Sequence, residues 1–206
     1  MSVFFHLLLG FVTSFLGSVF PSMLSLTTVK ISIKENKKRA VSFAAGVSTI
    51  VIAQAYVAVA FSNYLLNNSE YLLSIQKTGT VIFLGLSVYF FTQANRIKKN
   101  PSYHKESKQK GYVLGILFSL LNMFAIPFYS SVTAFLAMAG WYDFNPVNNL
   151  LFVLGSSLGT FFLLSIYARL AIKIEKRVKI LANRLDLFLG IITGLIGTIN
   201  LIDLLL

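Results

Sequence analysis

Few residues in this chain could do covalent chemistry, and their spacing argues against it. The two histidines are His6, near the start of a long apolar run, and His104, inside a basic stretch. Neither pairs with a buried serine, and an isolated histidine at a span end needs no ligand to account for it. The sequence holds no cysteine, no HExxH motif and no pair of carboxylates within an apolar run. Thiolate metal sites, zinc hydrolysis and paired acid–base chemistry therefore lack their parts. Gly155-Ser156-Ser157-Leu158-Gly159 reads as a close-packing surface rather than a nucleophile elbow. The expectation is a protein that is not an enzyme and that uses no cofactor and no metal.

What remains is neutral and polar, and it gathers at two prolines. The first lies in Gly17-Ser18-Val19-Phe20-Pro21-Ser22, the second in Asn122-Met123-Phe124-Ala125-Ile126-Pro127, followed by Ser130 and Ser131. A proline inside a helix removes one N–H and displaces the carbonyl four residues earlier, here those of Gly17 and Met123. In lipid such carbonyls need partners, so broken helices occur where the break is buried in protein or lines a watery cavity. A kink healed by a nearby hydroxyl is the plainer alternative, and matched breaks in two halves of a chain weigh against it. Ser18, Pro21, Ser22, Asn122, Pro127 and Ser130 are thus candidate substrate-binding residues. Gln54, in the second apolar run, and Lys77, several residues inside the third, join them, Lys77 as a counter-charge for a substrate carboxylate unless it snorkels to the interface. No other ionisable group sits deep in a span.

The elements that must hold these residues follow from composition. Of 206 residues, 56% are apolar or aromatic and 12% charged, against about 45–50% and 25% in soluble domains. So much apolar surface fits lipid better than water. Six runs are long enough to cross a hydrocarbon core, which needs about 20 helical residues: 3–29, 40–66, 71–94, 111–139, 149–172 and 187–206. The first is read as retained rather than cleaved, because it lacks a basic start and exceeds a signal peptide's apolar core. Seventeen of the eighteen basic residues belong to the first, third and fifth connectors, counting Arg169 at the end of the fifth span with the fifth, and Lys77 is the exception. The second and fourth connectors carry Glu70 and Asp143. By the positive-inside rule the three basic connectors are cytoplasmic and both termini lie outside. The basic runs orient the chain on anionic lipid, and no aromatic-interleaved groove for nucleic acid accompanies them. Tyr64, Tyr71, Tyr103, Trp141 and Tyr142 are placed as an interfacial belt.

Three spans, a basic linker and three more spans make two units that run in opposite senses. The expected fold is all-α, polytopic, six transmembrane helices as two inverted three-helix repeats: 1–95, a cytoplasmic linker over 96–110, and 111–206. Gly155/Gly159 and Gly190/Gly194 have GxxxG spacing and permit close helix contact, within one chain or in a homo-oligomer.

With these residues in view, the chain resembles the lysine-exporter superfamily of small bacterial carriers, which includes the homoserine/threonine-efflux type. The resemblance rests on size, the 3+3 layout, Ser18 and Pro21 in the first helix, Asn122 and Pro127 in the fourth, and Gly79 and Gly85 in the third. Gln54 lies near the family's polar second-helix residue. The family's Gly-Asp pair there is represented by Gly46-Val47-Ser48, without an acid. The resemblance implies a carrier in the bacterial inner membrane that exports a small polar solute such as an amino acid. A membrane scaffold or assembly subunit is the alternative, its polar residues merely packing helices.

Overall fold

A computed structural model describes residues 3–19, 22–94, 110–122 and 124–205. These form seven α-helices and one short 3-10 turn, and no strand occurs among them: α1 Val3–Val19, α2 Met23–Lys34, α3 Lys37–Asn67, the turn Ser69–Tyr71, α4 Leu72–Ala94, α5 Gly111–Leu120, α6 Ala125–Met138 and α7 Pro146–Leu205. Two helical segments are long and apolar enough to cross a bilayer, Lys37–Asn67 and Pro146–Lys176, each of 31 residues. Two bent pairs raise the number to four if each is one span: α1 with α2, bent by 75°, and α5 with α6, bent by 66°. The remaining two expected spans appear as the shorter apolar helices Gly79–Tyr89 and Gly190–Leu205.

The first and fourth runs are each broken into two helices, as expected, and the fold departs from the expected spans in one place. The fifth connector is not a loop, because α7 continues through 173–186 without a break. That stretch, Lys-Ile-Glu-Lys-Arg-Val-Lys-Ile-Leu-Ala-Asn-Arg-Leu-Asp, contains neither proline nor glycine and is rich in strong helix formers. Its charge marks where apolar surface stops and says nothing about where the helix must end.

The residues cluster into two compact units, 1–66 with 108–176, and 67–107 with 177–206. Each unit draws on both halves of the sequence. In the first, two helix pairs approach backbone to backbone. A Cβ on Gly115 of α5 would run into the Phe43 carbonyl oxygen of α3, and one on Gly46 of α3 into the Tyr112 carbonyl oxygen of α5. The same reciprocity joins α1 to α7: Gly10 lies against the Phe152 carbonyl, and Gly155 and Gly159 lie against those of Leu7 and Phe11. Around these contacts Phe43, Val47, Ala55, Val59, Phe152 and Leu164 are buried. The faces of α1 are opposite to those of a soluble helix. Phe4, Leu8, Val12 and Leu16 are exposed at four-residue spacing, whereas His6, Gly10 and Ser14 face inward.

In the second unit, Ser87 of α4 donates to the Gly190 carbonyl at 2.9 Å, and Gly194 and Gly197 lie against Ser87 and Leu84. Both small-residue stripes found in the sequence therefore serve contacts inside one chain.

Candidate functional site

Local sequence explains both breaks. Ser22 begins α2 as an N-cap, with extended backbone (φ −107°, ψ 176°) and its Oγ accepting the Ser25 N–H at 3.4 Å. Pro21, four residues after Gly17, lies outside the described residues. At the second break, Asn122 N–H tightens onto the Ser119 carbonyl at 3.0 Å, and α6 starts at Ala125. Pro127 is the third residue of α6, exposed, where a missing N–H costs nothing because the first-turn donors have no partner in the helix anyway. Pro127 thus starts a helix and does not kink one.

The two breaks adjoin. Gly17, in the last turn of α1, has no room for a Cβ because the Phe128 ring of α6 occupies that space. Ser14 Oγ lies 2.9 Å from the Tyr129 hydroxyl and 2.6 Å from Thr160 Oγ1, joining α1, α6 and α7 in a buried hydroxyl chain.

Each break is served by a side chain from a straight helix. Gln54 of α3 donates its amide to the Ser119 carbonyl at 2.9 Å and to the Asn122 carbonyl at 3.4 Å. Tyr167 of α7 donates its hydroxyl to the Val19 carbonyl at 2.8 Å. The carbonyls received are those of Val19, Ser119 and Asn122. The geometry displaces the sequence expectation, which named Gly17 and Met123; Met123 lies outside the described residues. Tyr167→Phe leaves the Val19 carbonyl to water or nothing, and should lower stability by about 1 kcal/mol, read as a small fall in the detergent-solubilised unfolding temperature.

Gln54 is 8% exposed, and its Oε1 has no hydrogen-bond partner among the described residues. The half-buried Asn122 makes no side-chain hydrogen bond there either. The second break therefore holds a buried acceptor and a free amide. Ser130 is differently placed: it is buried, its Oγ donates to the Ala58 carbonyl at 3.2 Å and its own carbonyl accepts from Ser62 at 2.6 Å, with Thr133 3.0 Å from the Ser62 hydroxyl. Ser18 is half-buried in the last turn of α1, and Ser22 is exposed apart from its capping bond. Lys77 belongs to the second unit, on α4, with its side chain exposed.

Sequence reasoning missed Ser14, Ser62, Thr133 and Tyr167. For Ser14 the signal was present: His6, Gly10 and Ser14 recur every four residues and define one polar or small face of α1. Two placements at span ends also change. Tyr142, expected in an interfacial belt, is buried and donates its hydroxyl to Asn149 Oδ1 at 3.0 Å. His6 is 1% exposed, not interfacial. His104 and Tyr103 lie outside the described residues. No group of three or more His, Asp or Glu that could hold a metal ion occurs among the described residues.

A family model of LysE type translocators matches residues 15–203, which include both breaks and Gln54. No curated protein and no solved structure matches the chain. Apolar straight helices, two adjoining broken ones and a family match over nearly the whole length agree: this is a multi-pass membrane protein, and the chain belongs to the LysE type translocator family.

Proposed function

We propose that the chain exports a small polar solute, an amino acid or related metabolite, across the bacterial inner membrane by alternating access around the two helix breaks. The observation that carries this reading is the meeting of the breaks at Gly17 and Phe128, with Gln54 Oε1 buried and unpaired beside the second. Carriers of this construction bind solutes where discontinuous helices from two repeats converge.

Equivalent pieces support the inverted-repeat part of the proposal. Each half contributes to the first unit one bent pair and one straight helix of 31 residues. The α1–α7 and α5–α3 contacts are made by glycines in corresponding places. Six spans with both termini outside are proposed from the distribution of basic residues alone, and they require α7 to turn back within the basic stretch 173–186.

In the substrate site, Gln54 Oε1 accepts from a solute N–H, and the Asn122 amide and Ser18 supply further hydrogen bonds. Ser22 and Ser130 become available as their present bonds exchange, and Pro21 and Pro127 keep the adjoining backbone open. Lys77, exposed on α4 of the second unit, is proposed on sequence grounds alone as a counter-charge for a solute carboxylate. Lys77→Met should reduce transport about ten- to hundredfold, in line with the roughly 1.5–3 kcal/mol of a charged hydrogen bond, with unchanged amounts of protein in the membrane.

The deciding experiment is efflux from proteoliposomes loaded with each amino acid, with and without a pH gradient. Transport of at least one solute, lost in Gln54→Leu, is the expected result. Sealed vesicles that move none of them would favour a scaffold.

A further inference from the structure

His6 is the only titratable side chain on α1, and it is enclosed, with both ring nitrogens lacking a hydrogen-bond partner among the described residues. A neutral imidazole carries one donor and one acceptor. Leaving both unmade in a buried place is unfavourable, and a phenylalanine ring of similar size would carry no such cost. A second conformation in which those nitrogens are engaged gives the histidine a use.

The surroundings show which part would move. The His6 ring meets Phe5 edge to face at 5.9 Å on its own helix, and Tyr142 at 5.3 Å on the connection between α6 and α7. Tyr142 in turn packs on Phe144 and Phe152. The cover is therefore a seven-residue connection, residues 139–145, rather than a helix. It leaves α6 through Gly140, whose φ of +74° favours glycine.

The charges that reach His6 are the Asp143 carboxylate on this connection and the amino terminus of the chain. Tyr142 stays a neutral phenol, because burial and then the adjacent Asp143 push it well above its ordinary range. The first four turns of α7, 146–160, bring no titratable group. Asp143 is exposed, and one of its oxygens accepts from the Asn145 amide at 3.1 Å. An imidazolium in the closed arrangement would point two N–H donors at nothing, with an anion close by in the sequence of the cover itself.

We propose that His6 is a proton-binding site, empty of its second proton while Tyr142 covers the ring, and filled from water when the connection lifts and the imidazolium reaches the Asp143 carboxylate. Proton binding and uncovering are then linked, and each favours the other by the same factor. Asp143 acts only as the hydrogen-bond acceptor. The site stands whether or not the chain exports amino acids.

Trp141 is the single tryptophan and lies half exposed on the same connection, so its emission reports the movement directly. The full chain in lipid nanodiscs is titrated from pH 8 to pH 5. The expected result is a one-proton transition in Trp141 emission that persists in His104→Gln, disappears in His6→Phe and is altered in Asp143→Asn. A transition that survives in His6→Phe, or none in the unaltered protein, overturns the proposal. Should His6→Phe not fold, ring-labelled histidine in the His104→Gln protein gives a second reading by NMR. A His6 resonance that titrates together with the Trp141 signal supports the site, and one that does not move over this range overturns it. Neither measurement depends on the efflux assay, so failure of the transport reading and failure of this site are separately visible.

Discussion

Replacing Gln54 with leucine is expected to abolish transport and to lower the unfolding temperature of the solubilised protein. The side chain donates to two carbonyls at the end of α5, those of Ser119 and Asn122. Leucine fills much of the volume and removes one hydrogen bond from each carbonyl, leaving them the Asn122 and Ala125 N–H respectively, at about 0.5–1.5 kcal/mol each. The unpaired Oε1 disappears as well, and with it the acceptor offered to solute. Gln54→Glu separates the two effects. It keeps an acceptor and, once protonated, can donate to one of the two carbonyls, so the protein should be more stable than the leucine variant at low pH and lose that advantage as pH rises. Efflux together with unfolding temperature for the two variants checks this. An unchanged rate in Gln54→Leu would remove the residue from the site.

The larger effect on folding is expected from valine at Gly115 or Gly155. At both positions the space for a Cβ is taken by backbone of the facing helix, the Phe43 carbonyl for Gly115 and the Leu7 carbonyl for Gly155. A backbone carbonyl cannot turn aside as a side chain can, so the helices must part along their length and lose the packing on either side. Overpacking of this kind costs typically about 1–3 kcal/mol or more, a large fraction of the roughly 5–15 kcal/mol that keeps a protein folded. Gly79→Ala and Gly85→Ala are the controls. A Cβ at either meets nothing within 4 Å, and alanine favours the helix by about 1 kcal/mol. Size-exclusion profiles and heat-stability curves of the four variants should divide into two clearly destabilised and two equal to or better than the parent.

The parts legible in the sequence are those governed by local rules. A proline with small polar neighbours, twice, located both breaks, and mean composition together with the basic connectors identified lipid as the solvent. Gln54 stood out as an amide in an apolar helix, and it does sit at a break. The long-range pairings were not legible, because they depend on which helix faces which. Nothing near Tyr167 in the sequence shows that it reaches Val19, 148 residues away, or that Ser14 joins Thr160 across 146. Charge is a poor guide at 173–186, where the lysines and arginines of an expected connector continue a helix. Burial of His6 was hidden for a related reason: the ring that covers it, Tyr142, comes from the far half of the chain.

The glycine contacts have a consequence for biogenesis. The groove on α1 at Leu7 and Phe11 is closed by Gly155 and Gly159, which leave the ribosome only after some 140 further residues have been made. Until then the nascent helix sits in the bilayer with His6 and Ser14 turned toward whatever neighbour it finds, since the partners supplied by Tyr129, Tyr142 and Thr160 do not yet exist. Early-inserted helices with unmatched polar faces are natural clients for an insertase or a membrane chaperone. Maturation of this protein is therefore a late, post-insertion event: the chain is threaded first and zipped together only once α7 arrives.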